Sequence, residues 1–232
     1  MTIINRDSFQ LNTYEEAIEA VDKFAILPLA DCVPDHPSIT ALVPSDSWHT
    51  GQPSDPWQWR VRFPVDGKAA YGKFFKQKAI LIAPDLFPYI KAWKYDAMSV
   101  HERYEAGLIP KDALLLHELI MEAGEIDTRE LRARAGMKAK ERKADFERAL
   151  LVLQESLEIV MTGVKEKMNR DGEKSGWSSM AYGTADFWMN SKGIEPWLGD
   201  RKTAQAYLMD RLGAACSQKA LSFFMKLYSL TK

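Results

Sequence analysis

The chain contains no apolar run near the roughly 20 residues that span a bilayer, so no membrane contact is expected. Its opening, MTIINRDSFQLNTYEEA, has neither an apolar core nor a small-residue cleavage site. A signal peptide is therefore not expected, and the expected residence is cytoplasmic. Cysteine is scarce: Cys32 and Cys216 lie far apart and form no CxxC pair, so two reduced thiols are expected rather than a bridge. An excess of one charge is lacking too. The formal net charge is −1, so any attraction to nucleic acid must come from a local patch. His101-Glu102 and His117-Glu118 each lack the second histidine four residues on, and there is no Gly-rich phosphate loop or GxSxG. No metal site and no cofactor are expected.

What is present is an ordinary globular composition, 46% hydrophobic and 27% charged, long enough at 232 residues to bury a core. Thr13 with Glu16 reads as a capping box, and Ala17, Val21, Phe24 and Ala25 follow at helical spacing, which predicts a helix ending before Pro28. Residues 31–56 hold five of the eleven prolines and read as an irregular segment. Trp57, Trp59, Val61 and Phe63 alternate with Gln58, Arg60 and Arg62, which predicts a half-buried strand. Asp66-Gly67 marks a turn. AYGKFF (70–75) and KAILIA (78–83) suit further strands, and Pro84-Asp85 opens a helix carrying Phe87, Ile90 and Trp93.

From Pro110 the texture changes. Leu114, Leu115, Leu119 and Ile120 predict a helix to Gly124; Asp127 or Thr128 caps a second, short one that stops at Gly136. Phe146, Leu150, Leu153 and Leu157 form one face of a third helix over about 139–155. Leu157, Ile159 and Met161 then alternate as in a strand, a charged loop follows, and residues 177–182 suit a return strand. Three helices, a strand, a charged loop and a strand are the order of a winged helix-turn-helix at 110–183. The expected class is α+β, mainly helical, with a small aromatic-rich β element. Three regions are expected: an N-terminal helix with the aromatic-rich segment (1–109), the winged module (110–183) and closing helices that pack on the rest (184–232).

Two clusters could carry function. Between 128 and 148 eight Lys/Arg face four Asp/Glu. Arg129, Arg132, Arg134, Lys138, Lys140, Arg142 and Lys143, with Lys167, Arg170 and Lys174 of the charged loop, are the expected contacts to duplex DNA. Such contacts give affinity without sequence preference. The bland alternative is a solvated face of ordinary ion pairs. In the aromatic tract, Trp57, Trp59, Tyr71 and Lys73 are candidates for a pocket that stacks a base, set against the plainer reading of an aromatic core.

The run W-x-W (57–59), AYGKFF (70–75), KAILIAPDLFPY (78–89), FERALLVLQESLEIVMTG (146–163) and Gly176-Trp177 resembles bacterial proteins described as AlkZ-related. These are a distant branch of the YcaQ/AlkZ winged-helix superfamily, whose best-known members are DNA glycosylases. The resemblance covers most of residues 45–190 and implies a winged-helix fold and DNA handling. It carries over no catalytic residue. The glycosylases use Gln-x-Gln or Gln-x-Asp, whereas Gln10, Gln52, Gln58, Gln77, Gln154, Gln205 and Gln218 are followed two places on by Asn12, Ser54, Arg60, Ala79, Ser156, Tyr207 and Ala220.

The first functional expectation is thus a DNA-binding protein without catalysis, its third helix presenting Lys140, Lys143 and Glu147 to base edges. A glycosylase-like repair hydrolase with a non-standard site is the alternative, with Asp55 and Asp66 as the carboxylates at hand. A winged module serving contact with a protein partner or a second copy is the third.

Overall fold

The computed structural model describes residues 10–94, 98–167, 169, 173–176 and 178–230. Helix α1 (Tyr14–Phe24) begins at the capping box: the Glu16 N–H donates to Thr13 Oγ1 at 3.2 Å, and the Thr13 N–H donates to Glu16 Oε2 at 3.1 Å. The helix stops earlier than its apolar period suggests. Ala25 takes a positive φ of 62°, which frees Ile26–Pro28 as strand β1. Pro28 is tolerated because β1 is an edge strand.

After a short helix α2 (Ile39–Leu42), residues 57–63 correct an expectation: they form helix α3 (Pro56–Val65), not a strand. Asp55 caps its N-terminus, accepting from the Trp57 N–H at 2.9 Å, and Pro56 suits the first helical turn. Trp59 and Phe63, four apart, are the side chains that bury, while Trp57 stays 40% exposed. Apolar residues at every second position of a short segment satisfied both periods, and the cap decided between them.

Strands β2 (Ala70–Phe75) and β3 (Lys78–Ile82) pair antiparallel, and the sheet runs β1-β3-β2. Helix α4 (Phe87–Lys94) follows as expected, and α5 (Val100–Glu105) starts at a second capping box, Ser99 with Glu102.

Helix α6 (Lys111–Ala123) lies where its period placed it, but its inward face is Ala113, Leu116 and Ile120. Strand β4 (Glu125–Asp127), α7 (Thr128–Arg134), a 3-10 turn (Lys140–Arg142) and α8 (Lys143–Glu155) follow. Phe146, Leu150 and Leu153 of α8 and Leu157 beyond it bury together. Strands β5 (Ile159–Lys165) and β6 (Ser179–Thr184) form a hairpin, with Lys165 opposite Ser179, and the second sheet runs β4-β6-β5. The expected return strand begins at Trp177, which lies outside the described residues; β6 itself continues to Thr184. Thr184 then caps α9 (Ala185–Ser191), accepting from the Phe187 N–H at 3.1 Å. Helices α10 (Arg201–Ala215) and α11 (Gln218–Leu227) close the chain.

The molecule is thus α+β and mainly helical, with two small antiparallel sheets. One apolar core joins them, running from Leu11 to Leu230. Helix α3 lies on β5, and β2 lies against both β5 and α8. The Trp188 indole N–H of α9 donates to the Pro64 carbonyl at 2.8 Å, and Trp93 donates to the Tyr228 carbonyl at 2.7 Å. Cys32 and Cys216 are free thiols; burial pushes the Cys216 thiol up to about 12.

Candidate nucleic-acid interface

The surface of α7, the turn and α8 carries the basic cluster, and its cations fall into three groups. Arg129 and Arg132 work on the framework. Arg129 lies 3.5 Å from Asp127 and donates to the Lys165 carbonyl at 3.1 Å, tying α7 to β5. Arg132 donates to the Met137 carbonyl at 2.9 and 3.1 Å, closing the turn after α7. Asp127 caps α7: burial pushes its carboxyl up, but the Arg129 N–H, the Ser179 hydroxyl and the Glu130 N–H outweigh that and hold it below the usual range.

A second group sits in surface ion pairs. Arg134 meets Glu122 at 2.7 Å, Arg142 meets Asp112 at 2.9 Å and Asp145 at 3.3 Å, Lys143 meets Glu147 at 3.7 Å, and Lys174 meets Glu166 at 2.5 Å. Pairs this exposed are worth at most about 1 kcal/mol, so their cations can exchange a carboxylate for a phosphate. The third group is exposed and pairs with no carboxylate among the described residues: Lys138, Lys140 and Lys167. Arg170 lies outside the described residues. The outward face of α8 presents Lys143, Ala144, Glu147 and Arg148.

The aromatic tract divides. Trp59 is in the core, 1% exposed, its indole N–H held by the Pro53 carbonyl at 2.7 Å. Trp57 lies at the surface between the Arg60 guanidinium, 3.6 Å above its ring, and the His49 ring at 5.0 Å. Tyr71 of β2 is buried, and Lys73 beyond it is exposed. The Lys73 backbone N–H donates to Gln154 Oε1 at 3.0 Å, binding β2 to α8. The structure brings Tyr182 of β6 into the same place, beside Tyr71 and Arg60. No spacing in the sequence signals that meeting, because the two tyrosines stand 111 positions apart.

The sequence profile of the AlkZ-related family matches residues 11–229. The chain belongs to the AlkZ-related family. No curated protein and no solved structure matches it. In this AlkZ-related protein the buried glutamine, Gln154, holds two elements together: its Nε2 donates to the Leu150 carbonyl at 3.3 Å while its Oε1 takes the Lys73 N–H. Among the described residues no three His, Cys, Asp or Glu side chains converge as metal ligands would. No helix there is long and apolar enough to cross a membrane.

Proposed function

We propose that this AlkZ-related protein binds duplex DNA, without catalysis, through a winged helix-turn-helix formed by residues 110–183, on which residues 1–109 and 184–232 pack. The observation that carries the reading is the order α6, β4, α7, α8, β5, β6 with the strands paired as β4-β6-β5. In that arrangement α7 and α8 are the helix-turn-helix, α8 lies in the groove, and the β5–β6 loop is the wing. Lys138, Lys140 and Lys167 supply the strongest phosphate contacts, since no carboxylate among the described residues pairs with them. Arg134, Arg142, Lys143 and Lys174 add contacts by exchanging partners, and Arg129 and Arg132 hold the helices in place. The resemblance of the family to winged-helix DNA glycosylases supports the same ligand.

The carboxylates of the aromatic tract favour binding over hydrolysis. Asp55 accepts the backbone N–H groups of His49, Gly51 and Trp57 at 2.9 to 3.1 Å, and Asp66 pairs with Arg62 at 3.6 Å. Burial raises the Asp55 carboxyl, but those N–H groups outweigh it, so the group is a fixed anion and a poor proton donor.

The test is fluorescence anisotropy with random duplex DNA between 50 and 200 mM salt. Lys138, Lys140 and Lys167 alone predict a slope of about −2.7 in log K against log salt, a loss of about forty-fold over that range, and each further cation that exchanges its carboxylate for a phosphate steepens it. Replacing Lys138 and Lys140 by Ala is expected to flatten the slope by about 2. Binding undetectable at 50 mM salt and micromolar protein overturns the proposal and leaves the module to protein contact.

A further inference from the structure

Arg60 is 9% exposed, yet no ion pair reaches it among the described residues, and its Nε is buried without a hydrogen-bond partner. The carboxylates nearest in sequence are committed elsewhere, Asp55 to backbone N–H groups and Asp66 to Arg62. An enclosed charge without an anion is costly. The Trp57 ring 3.6 Å away offsets part of that cost, but a ring face does not satisfy the in-plane N–H donors of a guanidinium. Tyr71 and Tyr182 are 7% and 6% exposed, and both lie within electrostatic reach of Arg60. Among the described residues the Tyr182 hydroxyl has only the Met180 thioether, 3.7 Å away, to donate to, and thioether sulfur is a weak acceptor. The Tyr71 hydroxyl shares a hydrogen bond with the guanidinium, but no carboxylate among the described residues pairs with it, so polar groups from α3, β2 and β6 converge with a positive charge and without an anion.

We propose that Arg60, Tyr71 and Tyr182 bind the phosphate ester of a nucleotide or of a nucleic-acid strand, with Trp57 as the wall against which its base or sugar rests. A guanidinium fork takes two oxygens of a tetrahedral oxyanion, and the phenols take the rest. The apolar neighbours point to an ester rather than a bare ion: Trp57, under the Arg60 guanidinium, and Met180, beside the Tyr182 hydroxyl, are each 40% exposed. Lys73, two residues along β2 from Tyr71, is exposed. The site is separate from the α8 surface and does not depend on the duplex-binding reading.

The test is isothermal titration of the full chain with thymidine monophosphate, with a short single-stranded oligothymidylate and with acetate. Binding of either phosphate ester is expected; preference for the monophosphate assigns a free nucleotide, and preference for the oligomer assigns a strand. The double variant Tyr71→Phe/Tyr182→Phe keeps the ring volumes and removes the donors, and is expected to weaken binding at least about tenfold with an unchanged urea midpoint. Arg60→Lys is expected to weaken it too, since an ammonium lacks the fork; if that variant does not fold, the phenylalanine variant carries the test. Lys138→Ala/Lys140→Ala is expected to bind the monophosphate as the parent does, which separates this site from the duplex interface. No heat with either ester at tens of millimolar, unchanged affinity in the folded phenylalanine variant, or acetate bound as tightly as phosphate overturns the proposal.

Discussion

Trp57 and Trp59 stand two residues apart and meet opposite fates. Trp59 has its ring inside the core and its indole N–H satisfied by the Pro53 carbonyl; Trp57 lies on the surface under a guanidinium. Replacing Trp59 by Ala leaves a large cavity and an unpaired carbonyl, and is expected to cost about 3–5 kcal/mol in urea unfolding. Trp57→Ala loses a cation–π contact and some partial burial, and is expected to cost no more than about 2 kcal/mol. Equal costs for the two variants would contradict this division. Both tryptophans were visible in the sequence as members of an aromatic tract. Which of them faces solvent was not, because a helix and a strand rotate the same residues to different sides.

At the scale of elements, local chemistry settled most boundaries. The Thr13–Glu16 box, Asp127 and Gly124 start or stop helices where their residue types suggest. The failures have identifiable causes. The residues of α3 read as a strand because their cap, Asp55-Pro56, stands in a proline-rich stretch that reads as loop. Helices α2 and α9 are too short to show a period.

Contacts between elements are where pH acts. His36 lies at the meeting of β1, α1 and α11: its Nε2 is 2.5 Å from the Ile26 carbonyl, and its ring lies 5.9 Å from Phe24 and 5.5 Å from Phe224. Burial holds its pKa below the ordinary value, with the Ile26 carbonyl opposing, so the folded ring resists protonation. Unfolded histidine takes up its proton near pH 6.5. The contribution of His36 is thus complete above about pH 6.5 and lost as pH falls below it towards the folded value. His117, also lowered by burial, acts in the same direction. The unfolding free energy is expected to fall as pH drops below about 6.5, and His36→Gln is expected to make that slope shallower. An unchanged slope would remove His36 from the account.

For the molecule as a whole, the relevant fact is that its core is continuous. Trp188 of α9 is bonded to Pro64 of α3, Gln154 of α8 to the backbone of β2, and Trp93 of α4 to the chain after α11. The three sequence regions therefore share their buried surface. Urea unfolding is expected to be a single transition with the same midpoint by far-ultraviolet circular dichroism and by tryptophan fluorescence. Two separated midpoints would mean that one of these regions unfolds independently.

The sequence alone determined the class of the molecule, the helices and hairpin of residues 111–184, the basic stretch along them and the kinship with AlkZ-related proteins. Those follow from interactions spanning a few residues: caps, apolar periods and clustered charge. Tertiary structure alone decided which cations keep their charge available and which spend it on carbonyls and carboxylates. It alone placed Arg60 against Tyr71 and Tyr182. Those outcomes depend on chain segments far apart in sequence arriving at one place, and residue spacing carries no record of that.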